Sequence, residues 1–220
     1  MTSIMKTAIQ IDFDGTISLE DVSFILLDEY AGDKWRSVLA EYMSGNKTVG
    51  AFNREVFGMV KADYHTMLDK VVNSEKVKIR PGLRELADYC LSRDYRTIIV
   101  SNGLTFYIEA ILKNLGLDGI EVHASENEFT PDGMKVRYIG PDGTEMDTGF
   151  KKAYTDMLLK EGYYVVYIGD GMSDIAPAGL SNKVFAIGDL LEKCREEYID
   201  CTPFNDFFDV IRGLEEIHPG

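Results

Sequence analysis

Asp12-Phe-Asp14-Gly-Thr16 sets two carboxylates two residues apart at the end of a short β-rich run, Thr7-Ala-Ile-Gln-Ile-Asp12. A later run closes the same way, in Ile168-Gly-Asp170-Gly-Met-Ser-Asp174. Four carboxylates brought together repel one another unless a cation sits among them, and hard oxygen ligands at a site that keeps its waters suit Mg²⁺. Asp12, Asp14, Asp170 and Asp174 are thus the expected metal residues, with Mg²⁺ the expected cofactor. A calcium loop does not fit, because Asp12-x-Asp14 lacks the third ligand and the glycine at EF-hand spacing. His65, His123 and His218 are dispersed with no ligand spacing, so a histidine metal site is not expected. Val100-Ser101-Asn102-Gly103 ends another run just before a helical stretch, which aims the Ser101 hydroxyl and the Asn102 and Gly103 amides outward as an anion cradle. Lys152 adds a fixed positive charge. Together these groups suit a phosphate dianion, with a carboxylate as nucleophile.

The elements that must position these groups alternate. Strand-like runs recur at Tyr95 to Ser101, Ile120 to Ala124, Tyr163 to Gly169 and Lys183 to Ile187. Between them, Leu83, Leu86, Ala87, Cys90 and Leu91, and then Ile108, Ile111, Leu112 and Leu115, follow helical spacing. Alternation of this kind predicts an α/β fold with a doubly wound parallel sheet, whose carboxyl edge gathers the acidic strand ends. Residues 18–79 break the pattern, being helical and strand-poor, with amphipathic stretches near Val22 to Tyr30, Trp35 to Met43, Val49 to Val60 and Tyr64 to Val72. That is far longer than an ordinary βα connection, so an inserted helical cap domain (18–79) is expected on a core of residues 1–17 and 80–220. Short hinges are expected near Thr16 to Ser18 and Lys78 to Gly82. Pro131-Asp132-Gly133 and Pro141-Asp142-Gly143 flank Met134 to Ile139, which predicts a hairpin-like excursion. Phe204, Phe207, Phe208 and Ile211 are spaced to dock a final helix.

Composition narrows the class. The 220 residues are 45% hydrophobic, enough apolar material for a packed core. A formal net charge of −14 repels nucleic acid and anionic lipid, so neither is an expected partner. No apolar run approaches the ~18 residues of a membrane span, and the first apolar segment meets Asp12 too soon for a signal peptide. Cys90, Cys194 and Cys201 are odd in number and form no CxxC pair, which suits a reducing cytoplasm.

Asp12-Phe-Asp14-Gly-Thr16, Ser101, Lys152 and Gly169-Asp170-Gly-Met-Ser-Asp174, in that order, resemble the four motifs of the haloacid dehalogenase superfamily of phosphatases. A helical insert directly after the first motif resembles its phosphoserine phosphatase-like branch. Within that branch, His123-Ala-Ser125, the segment Phe185 to Arg195 and Pro203-Phe-Asn-Asp-Phe207 are most similar to the enolate-type phosphatases of methionine salvage. One departure is that Asp142 to Lys152 holds no cysteine where those relatives have a cysteine-rich stretch.

The resemblance implies that Asp12 attacks phosphorus and that Asp14 serves as acid and then base. It implies that Mg²⁺ is held by the Asp12 carboxylate, the Asp14 carbonyl and Asp170, with Asp174 ordering its waters. Ser101 and Lys152 would stabilise the transferring group, Lys152 being favoured over Lys151 because Lys-Ala followed by a helix fits the family pattern better. Asp21 falls where amino-acid-directed relatives place a substrate contact, yet Ser18-x-x-Asp21 also reads as a helix-start pair. Arg54 either reads a substrate carboxylate or lies on a solvated helix face. The expected partner is a small phosphomonoester. Phosphoserine hydrolysis, or a phospho-accepting module without rapid turnover, remain as alternatives.

Overall fold

A computed structural model describes residues 6–217. Its sheet has eight strands in the order β5-β4-β3-β2-β1-β6-β7-β8. These are β1 (Thr7–Ile11), β2 (Arg96–Leu104), β3 (Glu121–Thr130), β4 (Gly133–Ile139), β5 (Glu145–Met146), β6 (Tyr164–Gly169), β7 (Lys183–Ala186) and β8 (Thr202–Pro203). From β3 to β8 neighbours run parallel, while β4 and β5 pair antiparallel on the β3 edge. The strand β1 is buried along its whole length, as expected of a central strand covered on both faces. It pairs with β2 on one side and β6 on the other, so the strand order reverses there. Such a switch point opens a crevice at the carboxyl ends of the strands.

Between β1 and β2 the chain forms α1 (Val22–Tyr30), α2 (Trp35–Met43), α3 (Val49–Gly58) and α4 (Tyr64–Val72), then α5 (Leu83–Ser92). The two connections to this helical segment pair with each other: Leu19 N–H donates to Lys78 O, Arg80 N–H donates to Ile17 O, and Ser18 bridges Ile79. Asp21, Thr48 and Asp63 cap α1, α3 and α4, each side chain accepting a backbone N–H of the first turn. The segment's apolar faces, with Leu26, Val56, Phe57 and Met67 fully buried, run into the main core through Phe106 and Met134.

The remaining helices are α6 (Thr105–Asn114), α7 (Phe150–Lys160), α8 (Ile175–Ala178), α9 (Gly188–Glu196) and α10 (Phe207–Glu215). Phe207, Val210 and Leu214 seat α10 on the core, whereas Phe208 is partly exposed and Phe204 packs ahead of the helix. The third strand is longer than its apolar run, because its polar half, Glu126 to Thr130, is held by antiparallel pairing with β4 and not by its own burial. Among the described residues, no helix is long and apolar enough to cross a membrane.

Candidate active site

Asp12 follows β1 directly and its N–H donates to Ile168 O at 2.9 Å, which ties the first motif to β6, the strand that delivers Asp170. Carboxylate oxygens of Asp12, Asp170 and Asp174 lie within 4.8 Å of one another. The loop between them depends on a glycine. Gly15 has φ +80°, and a Cβ there would collide with the Asp170 carboxylate. Thr16 Oγ1 donates to Asp170 Oδ1 at 2.9 Å, and the buried Arg80 guanidinium donates to the carbonyls of Gly15, Thr16 and Asn205. The acidic loop is thereby fixed from both sides.

Asp174 is fully buried and its oxygens are already taken: Oδ1 accepts from Lys151 Nζ and Tyr167 OH, and Oδ2 from the Asp170 and Gly171 amides. It acts on Asp170 and Lys151 by holding them in place. Burial pushes the Asp12 carboxyl well up, with the Lys151 charge opposing, and burial and Asp174 together raise Asp170. Asp14 is pushed up to about 6 by burial, against hydrogen bonds from Tyr107 and the Val22 amide. With Asp21 also beside them, five carboxylates face one buried lysine, a surplus of negative charge on hard oxygen donors. That donor set fits a hydrated Mg²⁺ held by Asp12 and Asp170.

The lysine is Lys151, which corrects the expectation for Lys152. Lys151 Nζ lies 2.8 Å from Asp12 Oδ1, 2.6 Å from Asp174 Oδ1 and 3.0 Å from Ser173 Oγ. Burial alone would lower its ammonium pKa, but Asp12 and Asp174 outweigh that and hold it raised and charged. Lys152 is one residue further round α7, turned outward with its side chain 44% exposed and paired to Asp156. The phase of α7 is set from β1: Gln10, a buried amide inside an apolar strand, donates to Lys151 O and accepts from Thr155 Oγ1.

Ser101 is buried on the pocket wall, but the cradle differs from the expected one. The second strand continues through Leu104 with a register break against β3 between Val100 and Leu104, and the Gly103 amide donates to Ser101 Oγ at 3.0 Å. Gly103 therefore does not offer its N–H outward. The Asn102 carbonyl is held by Asn53 Nδ2 at 3.0 Å and by Tyr138 OH at 2.5 Å.

Arg54 also departs from the expected role of reading substrate. Its guanidinium pairs with Asp147 on the outside of the fold, and it does not line the pocket. Asp21 lines it while its side chain caps α1, and burial raises its pKa. Ser23, Phe24, Tyr42, Val49, Phe52 and Asn53 complete a cavity of about 160 Å³. Asn53, Tyr107 and Tyr138 escaped the sequence reading because a tyrosine or asparagine at helical or strand spacing looks like ordinary core. His123 stacks on Tyr154 and Phe185 and Phe204 are buried elsewhere in the core, so these residues do not touch the pocket. His218 lies outside the described residues.

The profile of the haloacid dehalogenase-like hydrolases matches residues 9–178. A 2-hydroxy-3-keto-5-methylthiopentenyl-1-phosphate phosphatase of Geobacillus kaustophilus is 28% identical over 214 residues, 94% of each chain. One of Brevibacillus brevis is 24% identical over 216 residues, 96% of each. A solved phosphoserine phosphatase, as a phospho-aspartyl intermediate analogue, superposes with a TM-score of 0.68 at 21% identity, over 95% of this chain and 99% of its own. The chain belongs to the haloacid dehalogenase-like hydrolases and is a phosphatase.

Proposed function

We propose that this phosphatase hydrolyses a small phosphomonoester with Mg²⁺ through an aspartyl phosphate on Asp12, and that the substrate is the methionine-salvage enolate phosphate. The observation that carries the chemistry is the buried Lys151–Asp12–Asp170–Asp174 cluster at one strand edge, with Asp14 beside it. Lys151 and the Phe13 amide both bond Asp12 Oδ1, which keeps that oxygen turned toward the lysine. Asp12 attacks phosphorus, the bond to the leaving oxygen breaks, and protonated Asp14 supplies that oxygen with a proton. Asp14 then takes a proton from water as the water oxygen attacks phosphorus, releasing phosphate and restoring Asp12. Lys151 and the Ser101 hydroxyl stabilise the equatorial oxygens, and Mg²⁺ held by Asp12 and Asp170 would offset the charge of the incoming dianion. In this reading residues 18–79 act as a cap on a core of 1–17 and 80–220, excluding bulk water. The enzyme works in the cytoplasm in this reading, which suits its three free cysteines.

The choice of substrate rests on the pocket walls and on the relatives above. Lys151 is the only cationic side chain among the lining residues, and it is already committed to Asp12 and Asp174. A phosphoserine carboxylate would meet Asp21 with no cation to receive it, whereas Phe24, Tyr42 and Phe52 suit a neutral, apolar tail. Phosphate release from phosphoserine, pyridoxal phosphate and the enolate phosphate, each with Mg²⁺ and with chelator, tests this. The expected result is chelator-sensitive turnover with strong preference for the enolate; equal or greater efficiency on phosphoserine would reverse the substrate assignment, and chelator-insensitive turnover would remove the metal from the reaction.

A further inference from the structure

Asp14 is held by groups from two parts of the molecule. Its Oδ1 accepts the Val22 amide at 2.9 Å, at the start of α1. Its Oδ2 accepts the hydroxyl of Tyr107, on the first turn of α6. Tyr107 is fully buried, its ring tilted against Phe13 at 6.1 Å and edge-on to Phe106 at 5.6 Å, so packing fixes where the hydroxyl points. Ser23 Oγ lies 2.8 Å from the same hydroxyl. A phenol has one hydrogen. Since Tyr107 gives it to Asp14, Ser23 must be the donor to Tyr107, and the chain runs Ser23 to Tyr107 to Asp14.

Room for this arrangement comes from Gly103. Any Cβ at that position would collide with both the Tyr107 hydroxyl and Asp14 Oδ2. The phosphate-side loop therefore lies directly against the Tyr107–Asp14 pair, and the residue there carries no side chain to separate them.

We propose that Tyr107 is a positioning residue for the acid–base function of Asp14, and that Ser23 makes this positioning depend on the seating of α1. The inference rests on the role given to Asp14 above. A carboxyl held at one oxygen only could rotate about its Cβ–Cγ bond and lose its line to the leaving oxygen. With both oxygens bonded it is kept in the plane that serves proton transfer in both half-reactions.

The consequence is a dependence on the leaving group. An alkyl phosphate must be protonated as it departs, whereas p-nitrophenyl phosphate leaves as a stable phenolate. For Tyr107→Phe, kcat/KM on n-butyl phosphate should fall by ~30-fold, within the range of a general-acid contribution, while kcat/KM on p-nitrophenyl phosphate stays within ~3-fold. Ser23→Ala should shift the two substrates in the same direction by a smaller factor, and it carries the test alone if Tyr107→Phe does not fold. Equal losses on both substrates, or no loss on either, would overturn the proposal by assigning Tyr107 to packing. Asp14→Asn separates the acid role of Asp14 from its positioning by Tyr107. If it shows the leaving-group split and the Tyr107 and Ser23 variants do not, the positioning claim fails alone. If it shows no split, the acid role of Asp14 fails and the claim falls with it.

Discussion

The floor of the pocket is assembled at one edge of the sheet, where Asp12 and Asp170 follow β1 and β6 and Ser101 lies in the last part of β2, while the roof is assembled from helix faces, where Ser23, Phe24, Tyr42, Phe52 and Asn53 come from α1, α2 and α3. The floor is charged and held by short, redundant bonds. Asp174 alone accepts four of them, and Arg80 donates three to backbone carbonyls around the first loop. The roof is aromatic and meets the floor through few polar links, chiefly Val22 to Asp14, Ser23 to Tyr107 and Asn53 to Asn102. The difference separates two tasks. On the proposed function, a rigid floor fixes the electrostatics that any phosphomonoester needs, and a roof of aromatic surface sorts the rest of the substrate.

Substitutions can break or sharpen this contrast. The largest effect is expected on the floor, between two adjacent lysines: Lys151→Met should lower turnover by ~10³-fold, since it removes the fixed cation at the transferring group, and should cost stability by about 3–5 kcal/mol by leaving buried carboxylates uncompensated. Lys152→Met should leave phosphate release within about twofold, because an exposed i,i+4 pair with Asp156 contributes only ~0.3–0.5 kcal/mol. Steady-state kinetics and thermal melts on both proteins check this, and comparable losses would mean that the buried pair is structural only.

At the seam between the two regions, Asn53→Leu removes one of the two donors to the Asn102 carbonyl, the other being the Tyr138 hydroxyl, and should reduce kcat/KM by ~10–100-fold through misplacement of the end of β2 that carries Ser101. A change confined to KM on one substrate would instead make Asn53 a contact of the roof. The smallest effect belongs to the exterior of the roof. Arg54→Ala breaks the exposed pair with Asp147 and should leave kcat/KM within about twofold on every substrate, phosphoserine included. Selective loss on phosphoserine would return Arg54 to the pocket and weaken the enolate assignment.

The same contrast governs how much the sequence revealed. Floor residues announce themselves: an acidic pair closing an apolar strand has few structural uses, which made Asp12, Asp14 and Asp170 legible, and Ser101 was legible from its place at the end of a strand-like run just before a helix. The helices of residues 18–79 were legible from spacing, and their observed ranges lie within two residues of the expected ones. Lys151 was obscured by its neighbour. Strand order places either lysine at the site, and only helix phase decides: Lys151 shares a buried face with Tyr154, Thr155 and Leu158, whereas Lys152 shares the outer one with Asp156. Buried polar residues outside the motifs carry no such signal. Asn53 and Tyr107 sit at positions that helical spacing assigns to packing, and their roles arise from contacts 49 and 93 residues away in the chain. Arg54 shows the converse, a charge suited to a substrate carboxylate but drawn outward by Asp147.

The account stands most directly on Asp12 as the nucleophile. Asp12→Asn keeps the size of the side chain and should leave the circular dichroism spectrum intact, while phosphate release from the enolate phosphate with Mg²⁺ drops by ~10³-fold or more. Undiminished turnover by a pure, folded Asp12→Asn protein would contradict it.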